Sequence, residues 1–132
     1  MEKPRKKYHV FISYRRLYGW PLGLHINQSL KTDGYRVFYD IESMRSGKFN
    51  EQIYQSIDDS STVVVILPPH ALDRCVDEKD WVRREIAYAI KQGITLIPVM
   101  MHGFEIPEVL PDDIKELFDY QGITADENTN AL

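Results

Sequence analysis

Apolar residues along this chain switch repeatedly between two spacings. Short unbroken runs rich in β-branched residues alternate with stretches in which apolar residues recur every three or four positions. Val10, Phe11 and Ile12 form the first run. Leu22, Ile26 and Leu30 then recur at i, i+4 and i+8, which predicts a helix over about residues 20–33. Pro21 suits the first turn of that helix and Gly34 its stop. Residues 35–39 (Tyr-Arg-Val-Phe-Tyr) read as a second strand, and residues 41–48, with Gly47, as a polar loop. Phe49, Ile53 and Ile57 line one face of a second helix.

Residues 62–67 carry five consecutive apolar side chains, mostly β-branched. A strand of that kind is buried on both faces, as in the middle of a parallel sheet. Pro68 and Pro69 end it. A third helix is predicted over about residues 80–92 with Gly93 as its stop, and a fourth strand over residues 94–101. Leu110, Ile114 and Leu117 predict a short helix, and residues 119–124 a weak last strand. The β-α-β-α-β-α-β order argues for a doubly wound parallel α/β sheet. A closing helix would follow the last strand, but the tail from Ala125 to Leu132 is short and polar. The final helix is therefore expected to be missing, and the chain to be a single domain over residues 1–132, a piece of a longer protein.

At 132 residues the chain fits one domain, and a chain of roughly 150 residues buries about 68–70% of its unfolded surface. A hydrophobic fraction of 43% and a charged fraction of 27% describe an ordinary globule rather than a disordered or rod-like chain. The lone cysteine, Cys75, cannot form an internal disulfide, which favours a reducing compartment and a cytoplasmic location. A net charge of -4 argues against a globally basic nucleic-acid binder. Apolar runs fall short of the ~20 residues that cross a bilayer, so no membrane partner is expected.

Ligands of open parallel sheets bind outside the carboxyl ends of the strands. Here that rule selects Ser13 to Arg16, Asp40 to Glu42, Pro68 to His70, His102 to Phe104, and the start of the third helix. Trp81 and Glu85 are four apart and share a helix face that Tyr88 continues, while Val82, Ile86 and Ala89 form the neighbouring, sheet-facing stripe. Glu85 is thus expected at the border of core and cleft, where desolvation raises a carboxyl pKa. The plainer alternative is a solvated glutamate pairing with Arg84 or Lys91. Arg15 and Arg16 suit a pyrophosphate by bidentate hydrogen bonds, or are a solvated loop pair. Trp81 is either a core-edge anchor or an indole that stacks on a planar ring.

Other chemistries lack their signatures. The chain has no G-x-G-x-x-G, no P-loop and no G-x-S-x-G. Its four histidines have no metal-ligand spacing, so neither metal nor resident cofactor is expected. Ser13-Tyr14-Arg15-Arg16 replaces the acidic cluster that a receiver-type phosphoacceptor site requires after the first strand.

Phe11-Ile12-Ser13-Tyr14-Arg15-Arg16 resembles the first box of Toll/interleukin-receptor (TIR) domains. Residues 34–40 with Ser46-Gly47-Lys48-Phe49 are similar to their second strand and BB loop, residues 61–72 to their third strand and its exit, and residues 80–86 to the third-helix segment of the catalytic subgroup. The likeness covers about residues 8–123 and is greatest to the TIR domains of the animal axon-degeneration NADase and of bacterial antiphage proteins. It implies a flavodoxin-like, five-stranded sheet of order 2-1-3-4-5. It also implies cleavage of NAD at the nicotinamide–ribose bond, with NAD as substrate, giving ADP-ribose or a cyclic isomer in defence or cell-death signalling. The catalytic glutamate maps onto Glu85, and the substrate contacts onto Trp81, Arg15 and Arg16, with Asp40 beside them. Gly47 and Phe49 belong to the loop that docks on a neighbouring TIR domain, so the implied partners are other TIR domains and a fused or separate sensor or effector. Ser43 stands where the nearest relatives carry a loop lysine. Many TIR domains are non-enzymatic interaction modules, and that is the alternative function.

Overall fold

The computed structural model describes residues 6–39 and 50–125. In chain order these form β1 (Tyr8–Tyr14), α1 (Arg16–Thr32), β2 (Val37–Tyr39), α2 (Asn50–Asp58), β3 (Ser60–Leu67), α3 (Trp81–Lys91), β4 (Thr95–Met101) and β5 (Ile123–Ala125). Short 3-10 turns at Asp73–Val76 and Lys115–Asp119 precede α3 and β5 respectively. The five strands form one sheet in the order β2-β1-β3-β4-β5, and every pairing is parallel. That is the doubly wound sheet expected from the element pattern, in the flavodoxin-like order that the resemblance implies.

Side-chain alternation along the strands divides the core in two. Phe11, Val63, Val65, Leu67 and Leu96 face one side of the sheet, where they pack with Ile53 and Ile57 of α2 and Val82, Ile86 and Ala89 of α3. Ile12, Tyr14, Val64, Ile66 and Val99 face the other, against Leu22, Ile26 and Leu30 of α1. The central strand β3 is buried on both faces from Val63 to Leu67, as its unbroken apolar run predicts.

Glycine stops two of the helices as anticipated. Gly34 has φ +92° and Gly93 φ +71°, and at neither would a Cβ meet anything within 4 Å, so the left-handed backbone alone is what favours glycine there. Beyond α1, the Gly34 amide donates to the Lys31 carbonyl and the Tyr35 amide to the Leu30 carbonyl. Beyond α3, Gly93 donates to Ile90 and Ile94 to Ala89. Both closures are Schellman motifs. The first also explains why β2 is shorter than predicted: Tyr35 is occupied in ending α1.

Three further boundaries differ from expectation. Helix α1 begins at Arg16, not near Trp20, and Pro21 lies inside it rather than in its first turn. Tyr18, at φ 65°, distorts that added start, and the apolar periodicity sets in only at Leu22. The predicted short helix around residues 110–117 is a 3-10 turn that begins later, at Lys115, with Ile114 and Leu117 still buried. The last strand is Ile123–Ala125 rather than residues 119–124. No helix among the described residues is long and apolar enough to cross a membrane. The closing-helix question falls on residues 126–132 and the BB loop on residues 40–49, both outside the described residues.

Candidate active site

The carboxyl end of β1 and the start of α3 are adjacent, and the interactions of three side chains, Asp80, Arg15 and Glu85, fasten this corner. Asp80 is the N-cap of α3. Its side chain accepts from the Arg83 amide at 3.1 Å, satisfying one of the amide donors that a helix start leaves open. Arg15, the residue after β1, grips the same carboxylate bidentately, Nη1 to Oδ1 at 2.8 Å and Nη2 to Oδ2 at 2.9 Å. Its Nε donates to the Ala71 carbonyl at 2.8 Å. Only 12% of the Arg15 side chain and 9% of that of Asp80 are exposed. Burial alone would raise the Asp80 pKa, but hydrogen bonds from Arg15 and the Arg83 amide, with the guanidinium charge, outweigh it and hold the carboxyl below its usual range. Arg15 therefore fastens the end of β1 to the start of α3 and to the loop after β3.

The third of these residues is Glu85. Its side chain is 0% exposed, and Oε1 accepts from the Ser13 hydroxyl at 2.7 Å. This corrects both sequence-based placements: Glu85 neither borders an open cleft nor pairs in solvent with Arg84 or Lys91. The reason is the alternation of β1. Ser13 lies two residues beyond Phe11 and so shares its face, the one covered by α3, and one helical turn after Trp81 brings Glu85 onto it. Val82, Ile86 and Ala89 are buried beside it, as the stripe predicts.

Trp81 is half-buried and packs on the edge of the α3 core. The Arg84 guanidinium lies 5.1 Å from its ring centroid, and Tyr54 is 6.3 Å away, centroid to centroid. Tyr54 in turn contacts Tyr88 at 4.6 Å, and the Tyr88 hydroxyl donates to Asp58 at 2.7 Å. Burial, then the Asp58 hydrogen bond and charge, push the Tyr88 phenol up to about 12. Trp81 thus has the core-edge position expected of an anchor while keeping part of its ring in reach of solvent.

Of the remaining sequence-predicted residues, Asp40, Gly47 and Phe49 lie outside the described residues, and nothing is described of the Arg16 side chain. The structure brings Arg15, Trp81 and Glu85 together at one corner of the sheet. It adds two residues that lay within the segments the sequence singled out but were given no role there, Ser13 and Asp80. A signal existed for each: a serine on the core-facing side of a strand needs a buried partner, and an aspartate just before an apolar helical stripe is a capping signature. Cys75, buried near the same corner, is 3.5 Å from Asp80 Oδ2. Burial first, and the Asp80 charge second, push its thiol up to about 12, so it is no nucleophile at neutral pH.

Among the described residues no group of three or more His, Cys, Asp or Glu is arranged to hold a metal ion. Two clefts formed by described residues lie away from Glu85. One of ≈ 370 Å³ sits among His70, Asp73, Gly103 and Phe104, and one of ≈ 460 Å³ beside α3 among Tyr54, Arg83, Arg84 and Tyr88. What the Glu85 corner offers chemically is a fully buried carboxylate in a low-dielectric setting, where its effect on a nearby positive charge exceeds that in water.

Comparison with known proteins bears on the family and the fold. A family model described as TIR domain matches residues 10–132. The chain is 36% identical over 127 residues to a Drosophila melanogaster protein named NAD(+) hydrolase sarm1, covering 92% of this chain and 9% of that protein. It is 34% identical over 124 residues to a Caenorhabditis elegans protein named NAD(+) hydrolase tir-1, covering 89% of this chain and 13% of that one. The chain thus spans a small part of the length of these curated relatives. Among solved structures, a metazoan TIR-STING receptor from C. gigas in complex with 2',3'-cGAMP superposes with a TM-score of 0.69 at 18% identity, over 98% of this chain and 38% of that one. The TIR domain of the Toll-related receptor TRR-2 from Hydra magnipapillata gives 0.56 at 17% identity, over 88% and 84%. These structural likenesses speak for the fold alone. Taken with the parallel 2-1-3-4-5 sheet, the family match over nearly the whole chain establishes that it belongs to the TIR domain family.

Proposed function

We propose that this chain cleaves NAD at the nicotinamide–ribose bond, with Glu85 as the catalytic carboxylate. The observation that carries the reading is the position of Glu85, set one turn into α3 at the carboxyl edge of a TIR sheet. The names of the curated relatives, NAD(+) hydrolases, supply the substrate. The chemistry suits a lone carboxylate. Nicotinamide is a cationic leaving group and departs neutral, so no general acid is needed and the two-carboxylate plan of ordinary glycosidases is not required. Glu85 holds the ribose hydroxyls and stabilises the oxocarbenium-like charge that grows as the bond breaks. Capture by water gives ADP-ribose, and capture by a nucleophile of the same molecule gives a cyclic isomer.

In this reading Trp81, Arg16 and Asp40 contact NAD, and no resident cofactor or metal takes part. Arg15, expected to contact NAD as well, acts instead by fixing the start of α3 through Asp80. The assembly partner is another TIR domain, docked through Gly47 and Phe49 of the BB loop, in the cytoplasm, with a sensor or effector domain attached or separate. Full burial of Glu85 favours a second reading, in which it is a core residue of a non-enzymatic TIR interaction module. Incubating concentrated protein with NAD and following free nicotinamide by chromatography separates the two: release supports the enzyme, and its absence supports the module.

A further inference from the structure

We propose that Ser13 is a positioning residue for Glu85. The inference rests on the catalytic reading of Glu85 and deepens it. Ser13 occupies the next-to-last position of β1, where it is paired with Val65 of β3. It is fully buried, and its neighbours on that face of the sheet, Phe11, Val63, Val65 and Leu67, are all apolar. A hydroxyl in such a setting is unfavourable unless it is hydrogen-bonded. Its bond to Glu85 Oε1, at 2.7 Å, crosses 72 positions of sequence, so β1 and α3 meet through a polar contact inside an otherwise apolar layer.

The two side chains are unequal partners. Serine has one rotatable bond to its hydroxyl and sits on a strand paired on both sides, β2 on one edge and β3 on the other. Glutamate has three, and its carboxylate is placed only by what it touches. Electrostatic stabilisation of a developing cation depends on a charge already fixed before the bond breaks, and a side chain acquires that fixity from the groups that support it. Ser13 supplies a donor of fixed position to Oε1. It touches no substrate in this scheme and acts through Glu85.

Steady-state NAD cleavage by the full chain tests this with Ser13→Ala, Ser13→Thr and Ser13→Cys beside Glu85→Gln, each with its melting temperature. A misplaced reacting group costs on the order of 10²-fold, so Ser13→Ala is expected to lose about 10- to 100-fold in kcat with KM unchanged. Ser13→Thr restores most of that loss and Ser13→Cys, a weak donor, little of it, while melting temperatures do not follow the same order. Unchanged or raised kcat in Ser13→Ala overturns the proposal, as do losses that simply track melting temperature. Should Ser13→Ala fail to fold, the Thr and Cys variants decide by the same criterion: equal kcat in the two overturns it. An inactive Glu85→Gln beside a fully active Ser13→Ala rejects only the role of Ser13. A fully active Glu85→Gln, or an unmodified chain that leaves NAD intact, rejects the catalytic reading and with it this one.

Discussion

Removing the Arg15 guanidinium separates a structural role from a substrate-binding one. In Arg15→Ala the Asp80 carboxylate stays in place, only 9% exposed, and keeps its bond to the Arg83 amide but loses both guanidinium contacts. The Ala71 carbonyl loses its donor as well. Breaking one partner out of a buried pair costs about 3–5 kcal/mol, because the remaining charge is left uncompensated. With an unfolding entropy of about 2.1 cal/mol/K per residue, a chain of 132 residues then melts about 11–18 °C lower. Circular dichroism at neutral pH reads this directly. The pH dependence supplies the second half of the test. Asp80 has a depressed pKa in the folded chain, so the pair's stabilisation is fully present above the unfolded carboxyl value of about 3.9 and is lost as pH falls through the folded value. The gap in melting temperature between parent and Arg15→Ala therefore narrows below about pH 4, where protonated Asp80 no longer needs the guanidinium. A variant that melts with the parent at neutral pH, or a gap that stays constant into acid, refutes the reasoning. Arg15 would then be free to bind substrate.

Two further expectations concern other parts of the molecule. Cys75, with its thiol pushed up to about 12, stays unreacted with a disulfide thiol reagent in native protein at pH 8 and reacts at once after denaturation; prompt native labelling would contradict its burial. If the BB loop completes the cleft between subunits, NAD cleavage per molecule rises with protein concentration, because a head-to-tail contact generates open arrays, and Gly47→Pro abolishes the rise; flat specific activity beside a monomeric light-scattering signal contradicts this.

The parallel, doubly wound sheet was legible because alternating strands and helices need crossover connections of fixed hand, whereas the strand order came from the resemblance to TIR domains. The unbroken apolar run of β3 and the two-stripe pattern of α3 identified the sheet's centre and the helix that covers it. The start of α1 was not legible, since its first turn precedes the apolar periodicity and contains a left-handed Tyr18. The same limit applies to the site. Local spacing put Trp81 and Glu85 on one helix face, which the structure shows. It could not say how deep that face lies, because the depth of Glu85 follows from the packing of α3 on the sheet, where its partner Ser13 is 72 positions away in sequence. Nor could it show that Arg15 is occupied, because its partner Asp80 lies 65 positions on. Both pairings are tertiary, and neither leaves a periodic trace.

The central claim, that Glu85 is the catalytic carboxylate of an NAD-cleaving enzyme, is tested most directly by comparing nicotinamide release by the parent chain and by Glu85→Gln at the same high concentration. Glutamine keeps the shape of the side chain, and its carbonyl oxygen can still accept from Ser13, so a matched circular dichroism spectrum is expected. Measurable release by the parent is expected, with a rate lower by on the order of 10²–10³ in the variant, the loss typical of one preorganised electrostatic group. Equal rates from a folded Glu85→Gln protein, or no release from the parent, would contradict it.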